Sequence, residues 1–232
     1  MTDLTVIIPV FNEDVAFVTK TSQELQSLGC HVIVVDDGSH MDFPQGFEYI
    51  TYSMNMGYGY AIKQGLQVCT TPIVCTMDGD GQHLIDDIKK LYNVYKLRDS
   101  LKMVIGQRYN YKEHIVRKLG RKVLNLIASI ITGHYLSDLN SGLRVMDTAL
   151  VKAYSQILCD TFSFTTSLTI AMVADNYEIT CFPIDIQGRK FGKSKVNVIK
   201  DGFVTLWYIL YCGIGCRTRR IRRWMRNLRG LP

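Results

Sequence analysis

Pro72-Ile73-Val74-Cys75-Thr76-Met77-Asp78-Gly79-Asp80-Gly81-Gln82-His83 decides how this chain is read. A short, mostly apolar run passes straight into two carboxylates and a carboxamide at alternate positions. A strand that ends in Asp-x-Asp-x-Gln leaves a cluster of oxygen donors at its carboxyl end, which in open α/β sheets is where ligands bind. Hard oxygen donors in that position suit Mg²⁺ or Mn²⁺. The competing reading is a polar strand-to-helix turn, because Asp and Gly are ordinary turn residues.

The rest of the chain repeats the pattern. Leu4–Val10, His31–Val35, Phe47–Tyr52, Ile73–Met77 and Lys102–Gly106 read as strands, with helices expected from about Asn12 to Leu28, Gly57 to Cys69 and Leu84 to Leu97. Alternating strands and helices predict a mostly parallel sheet with helices on both faces. In the second half, helices are expected over Arg117–Ile131 and Phe164–Ala174, and a strand over Ile179–Ile186. Asp138–Met146 reads as a strand or a loop crossing the edge. Polar clusters follow the early strands: Asn12-Glu13, Asp36-Asp37-Gly38-Ser39, Asn55-Met56-Gly57 and Asp78–Gln82. Helix capping by Asn12, Asp36 and Asn55 accounts for each cluster singly. It accounts poorly for acids or amides at every such turn. Carboxylates along one edge suit ribose hydroxyls and base N–H groups, with a metal bridging a diphosphate.

The net charge of +6 is unevenly distributed. Seven arginines occupy positions 217, 219, 220, 222, 223, 226 and 229, and no acid follows Asp201; without those seven the chain stands at −1. A near-neutral body argues against nucleic acid as a partner, and the basic tail points to contact with an anionic surface. Just before it, Phe203–Cys216 is apolar but only 14 residues long, short of the ~20 needed to span a bilayer. An interfacial anchor, a core helix with solvated arginines, and a nucleic-acid contact are the three readings of this tail. Residues 1–200 are expected to form the domain and 201–232 a membrane-associating tail. The seven scattered cysteines have no zinc spacing and read as buried reduced thiols of a cytosolic protein. Acylation of Cys212 and Cys216 is the alternative for that pair. The chain enters a strand almost at its first residue, so no signal peptide is expected.

Seven motifs in order, Val6–Glu13, Val34–Ser39, Asn55–Gly57, Asp78–His83, Gly106–Tyr109, Asn140–Arg144 and Arg189–Lys195, resemble family 2 glycosyltransferases of the GT-A fold. Among these the chain resembles transferases that act on dolichyl or polyprenyl phosphate, such as the dolichyl-phosphate mannose synthases, over roughly residues 4–200. The resemblance implies an inverting transfer from a nucleoside-diphosphate sugar (GDP-mannose or a UDP-sugar) to a polyprenyl phosphate. It implies Pro9, Phe11 and Glu13 at the nucleoside, Val35 and Asp37 near base and ribose, and Asp78, Gly79 and Asp80 at the nucleotide sugar. Asp78, Asp80 and Gln82 would hold Mg²⁺ or Mn²⁺, and Arg108, Arg117, Arg189 and Lys193 the phosphates, with Asp80, Arg108 and Arg189 closest to the chemistry. Arg121 competes with Arg117 for its role. Arg144 would either form an internal ion pair holding the Ser141-Gly142 loop or touch substrate. His83 is read as helix-start structure rather than a base.

The implied location is the cytoplasmic membrane face, peripherally bound, with room for a membrane-protein partner. The segment Phe164–Leu168 lacks the acid that relatives often carry there, and Tyr58-Gly59-Tyr60 replaces their small or basic residue, which leaves sugar and acceptor open. A saccharide hydroxyl acceptor and a catalytically silent, membrane-recruited relative are the other readings.

Overall fold

The computed structural model describes residues 1–39, 42–44, 46–109, 115–135, 138–188 and 198–228; the side chains of 115–117, 198–200 and 217–228 lie outside that description. Seven strands form one sheet: β1 (Leu4–Val10), β2 (His31–Asp36), β3 (Glu48–Thr51), β4 (Ile73–Thr76), β5 (Leu101–Tyr109), β6 (Arg144–Asp147) and β7 (Glu178–Asp185). Their order is β3-β2-β1-β4-β6-β5-β7. Every strand but β6 runs the same way; β6 is antiparallel to both β4 and β5.

The central strands are buried along their whole length because both faces are covered, as parallel sheets require. Successive residues of β1 enter opposite cores. Ile7 packs with Ile33, Val35, Val74 and Met103, whereas Val6 and Ile8 pack with Val32, Val34, Cys75 and Val104. On the second face lie α1 (Val15–Ser27) and α3 (Ile85–Lys96), whose Val18, Leu25, Ile88 and Leu91 complete that core. The first face carries α2 (Tyr58–Val68), α4 (Ile115–Thr132), α5 (Thr148–Tyr154), α6 (Phe164–Ala174) and α7 (Val198–Leu228). α6 is buried on every side, beneath α4 and α7. Its sequence, apolar or hydroxylated throughout, fits that position.

Local chemistry sets the helix ends. Asp14, not Asn12, caps α1, its Oδ1 accepting the Phe17 N–H at 2.7 Å. Asn12 instead adopts a left-handed φ of 55° at the sheet edge. α2 has no side-chain cap. The Asp160 carbonyl accepts the Tyr60 N–H there at 2.9 Å. Gly57, at φ 110°, admits that close approach, since a Cβ would stand 2.6 Å from the same carbonyl oxygen.

Three stretches take a more definite form. The 138–146 stretch resolves into a loop and the reversed strand β6, a short strand whose direction no periodicity reveals. β5 continues past Gly106 to Tyr109, so Arg108 sits on the strand end. The apolar run and the arginine run form one helix, α7, and no packing break coincides with residue 200: Thr205, Ile209, Cys212 and Cys216 are buried against the domain. With Cys212 and Cys216 each 1% exposed, neither thiol is placed for acylation. None of the seven cysteines is in a disulfide; six are buried, Cys181 being the exposed one. Among the described residues no helix is long and apolar enough to cross a membrane.

Candidate active site

One edge of the sheet receives the carboxyl ends of the six parallel strands and the amino end of β6. Its acids differ in what they do. Asp36 accepts from the backbone N–H and hydroxyl of Ser39, from the Tyr49 hydroxyl at 3.1 Å and from the Thr51 hydroxyl at 3.3 Å. Asp37 accepts from the Tyr52 hydroxyl at 2.8 Å, Asn55 Nδ2 at 2.8 Å, and the Met56 and Gly57 N–H groups at 2.7 and 3.0 Å. Both carboxylates are therefore spent on shaping the turn after β2 and the loop that leads into α2. Asn55 serves Asp37 rather than capping a helix.

The pair after β4 is arranged otherwise. Asp80 is 4% exposed and its Oδ1 accepts the Gln82 N–H at 3.1 Å. The Asp78 side chain is about one third exposed, 32%. Its Oδ2 lies 3.4 Å from His83 Nε2, while its buried Oδ1 has no aligned hydrogen-bond partner among the described residues. The Tyr58 hydroxyl is buried nearby, also without an aligned partner. Burial works to raise the Asp78 carboxyl, but the His83 ring, with Tyr58 and Arg108 adding, holds it below the usual carboxylate range. Burial and the Asp78 charge push the Tyr58 phenol well upward, so it stays protonated. Against Asp78 stands Gly142, where a Cβ would come within 2.4 Å of Oδ1. Only a bare Cα leaves room beside that oxygen. His83 stands directly before Leu84, the cap position of α3, and its ring is buried against Asp78.

The other half of the edge is built on arginine. Arg108 grips Asp138 in a bidentate pair, Nε to Oδ2 at 2.8 Å and Nη2 to Oδ1 at 2.7 Å. Burial would raise the Asp138 carboxyl; the hydrogen bonds and charge of Arg108, with Arg121 adding, hold it low. Arg144 is 1% exposed. Among the described residues it makes no ion pair; instead its guanidinium donates to the carbonyls of Leu139 (2.6 Å), Ser141 (2.7 Å) and Thr165 (2.9 Å) and to the Thr169 hydroxyl (2.6 Å). Of the two roles open to it in the sequence, it takes the internal one, through carbonyls rather than a carboxylate. Burial lowers its pKa to about 10. It ties the 139–142 loop, and with it Gly142, to α6.

The remaining expected residues divide by position. Pro9 is buried in register with Val35, and Gly79 rests against Val10, where a Cβ would stand 2.9 Å from Val10 Cγ1. Phe11 and Glu13 are half-buried at the end of β1. The Val35 side chain is fully buried in the core and does not reach the edge. Gln82 latches the segment after β7, donating from Nε2 to the Gln187 carbonyl at 3.3 Å while its own carbonyl accepts the Gln187 N–H. The Arg117 side chain, and Arg189 and Lys193 altogether, lie outside the described residues. Tyr58, Asp138 and Gly142 went unremarked in the sequence as site-shaping residues. Tyr58 stands in the α2 segment whose departure from relatives was the one available signal.

Among the described residues no three His, Cys, Asp or Glu side chains gather into a metal cage. A small hard cation does not need one, because it fills its shell with water and substrate phosphates around one or two carboxylates. Asp78 and Asp80, with an unpaired buried oxygen between Tyr58 and Gly142, fit that kind of site.

The family model for glycosyl transferase family 2 matches residues 5–138. UDP-N-acetylglucosamine–dolichyl-phosphate N-acetylglucosaminyltransferase of Methanococcus voltae is 25% identical, covering 90% of this chain and 95% of its own. Undecaprenyl-phosphate 4-deoxy-4-formamido-L-arabinose transferase of Salmonella paratyphi B is 26% identical, over 93% of this chain and 67% of its own. Glucosyl-3-phosphoglycerate synthase of Mycobacterium tuberculosis, crystallised with Mn²⁺ and UDP, superposes with a TM-score of 0.71 at 16% identity, over 90% of this chain and 80% of its own. The sheet order, the single reversed strand and the acidic edge are those of a GT-A fold, and the chain belongs to glycosyl transferase family 2.

Proposed function

We propose that this glycosyltransferase moves a sugar, with inversion, from a nucleoside-diphosphate sugar to a polyprenyl phosphate at the cytoplasmic face of a membrane. The observation that carries the site is the buried Asp78 Oδ1 beside Asp80, which has no aligned hydrogen-bond partner among the described residues and packs against the bare Cα of Gly142. The acceptor class is supported by the two relatives named above, whose own acceptors are lipid phosphates.

Asp78, Asp80 and Gln82 would hold Mg²⁺ or Mn²⁺, which when bound neutralises the departing diphosphate. His83 orients Asp78 and keeps it ionised. The Asp37-anchored loop and the half-buried Phe11 and Glu13 bound the nucleoside end of the edge. Arg108, braced by Asp138, brings positive charge to the phosphate end; Arg117, Arg189 and Lys193 are the proposed partners there. Arginine suits the task through its planar, bidentate fork. A polyprenyl phosphate is already an anion near neutral pH and attacks without a strong base. This favours it over a saccharide hydroxyl, because the one histidine at the carboxylates is engaged with Asp78.

A thermal-shift panel of GDP-mannose, UDP-glucose and UDP-GlcNAc, with and without Mn²⁺, tests the reading. The true donor raises the melting point only with metal, by an amount reaching about 2.7 kcal/mol of stabilisation at a hundredfold excess over its dissociation constant. A flat panel overturns it.

A further inference from the structure

Seventeen large hydrophobic side chains are exposed among the described residues, and nine of them lie on two neighbouring helices. α4 contributes Leu119, Val123, Leu126 and Ile130, at spacings of four, three and four that set them in one stripe. α7 contributes Phe203, Trp207, Leu210, Tyr211 and Ile214, again one stripe. Ile130, Phe203 and Trp207 are 72%, 71% and 65% exposed. The opposite sides of the same helices are also apolar: Ala128 on α4, and Ile209, Cys212 and Cys216 on α7, are buried in the core. The helices meet closely at Gly213, where a Cβ would stand 2.5 Å from Ile131 Cγ2, so the two stripes run side by side. A helix apolar on both sides is not built for water alone, and scattered exposed residues would not align on two helices.

Charge narrows the choice of occupant. α4 contains no acid and four basic residues; α7 contains seven basic residues and one acid, Asp201. Together they carry a net +10, against +6 for the chain, which leaves the remainder at −4. Lys118 and Lys122 are exposed beside Leu119 and Val123, and α7 runs on without a break into the segment holding Arg217 to Arg226. A second copy would set +10 against +10. An anionic lipid surface complements both the charge and the apolar stripes, and Trp207 and Tyr211 are side chains suited to its boundary.

We propose that the paired outer stripes of α4 and α7 form a face that lies in the surface of an anionic bilayer. The tail is then one edge of a two-helix face, and α4, which follows the phosphate-end strand β5, is its other half. The proposal deepens the lipid-phosphate reading, because it gives the soluble edge a fixed orientation toward a lipid-borne acceptor. The full chain is tested by flotation with vesicles of phosphatidylcholine alone and of phosphatidylcholine mixed with phosphatidylglycerol. Wild type is expected to float with the mixed vesicles and far less with the neutral ones. Leu126→Glu on α4 and Trp207→Glu on α7 are each expected to lower the partition coefficient about tenfold. Should Leu126→Glu disturb folding, Ile130→Gln at its open position repeats the test.

Wild-type flotation by the α4 variants would assign binding to the arginine segment alone and overturn the two-helix face. Failure of wild type to float with either vesicle does the same, as does a concentration-dependent dimer that the variants dissolve. The metal-dependent nucleotide-sugar melting shift, measured without lipid on the same variants, stays at the wild-type value. Its loss in wild type would strike the transferase reading, whereas lost flotation alone strikes only the face.

Discussion

Two acidic turns flank β1 on the same sheet edge, and the structure uses them in opposite ways. After β2, Asp36 and Asp37 are surrounded by hydroxyls, an amide and backbone N–H groups that occupy both carboxylates. After β4, Asp78 keeps one buried oxygen with no aligned hydrogen-bond partner among the described residues, near the Tyr58 hydroxyl and beside a glycine that cannot be larger. A buried polar atom left unpaired costs about 1–3 kcal/mol, so it persists where something else is to satisfy it. Residue type alone does not tell a ligand-binding carboxylate from a structural one. What separates them is which carboxylates the fold has already used.

The sharpest way to break this contrast is to neutralise one acid of each pair. Asp80→Asn is expected to lower sugar transfer about 10³-fold, roughly 4 kcal/mol in the barrier, while leaving the melting point nearly unchanged. Transfer assays on a polyprenyl phosphate, run beside thermal melts, check it; retention of a tenth of the activity would remove Asp80 from the chemistry. Asp37→Ala should do the reverse. It leaves the Tyr52 hydroxyl, the Asn55 amide and two N–H groups without their acceptor, a cost of about 2–4 kcal/mol, or roughly 5–15 °C in melting point. A melt within two degrees of wild type would mean the loop before α2 is held by something other than Asp37.

Gly142→Ala is a smaller and more local probe of the same unpaired oxygen. The added methyl needs the space in front of Asp78 Oδ1, so the carboxylate must turn. The expected result is about a tenfold weaker Mn²⁺-dependent nucleotide affinity, near 1.4 kcal/mol. Titration calorimetry reads it, and unchanged affinity would place the metal elsewhere along the edge.

The strands on the β1 to β4 side were legible because each of β1, β2 and β4 is a short apolar run punctuated by acids or amides. Parallel pairing then brings those clusters to one edge without further information. The same logic failed at β6. Arg144-Val145-Met146-Asp147 is too short to declare a direction, and a buried arginine at its start resembles a ligand-binding residue until the carbonyls of Leu139, Ser141 and Thr165 are seen around it. Helix α5 was missed for a related reason, being seven residues long between two irregular segments. The outward stripe on α4 was readable in principle from its spacing. A helix apolar on two sides, however, gives the same sequence signal as one buried twice, and only packing distinguishes them. Gly142 lay within a motif the sequence displayed, but its role could not be read there, because it depends on a side chain 64 positions away in sequence.

Asp138 extends the comparison to a third kind of acid, one satisfied by cations rather than by neutral donors. Its carboxyl is held below the usual range in the folded protein despite burial, because Arg108 binds it twice and Arg121 adds charge. A depressed folded pKa means the unfolded chain takes up its proton first as pH falls. The stabilisation is therefore complete above the unfolded carboxyl value of about 3.9 and drains away as pH drops through the lower folded value. Asp138→Asn removes that titration. The melting-point gap between wild type and the variant is expected to be widest at neutral pH and to narrow from about pH 4.5 downward. Melts at closely spaced pH values measure it. A gap that stays constant down to pH 3 would mean that Arg108 is held by shape and hydrogen bonds alone, and that the Arg108 end of the edge owes its geometry to packing rather than to charge.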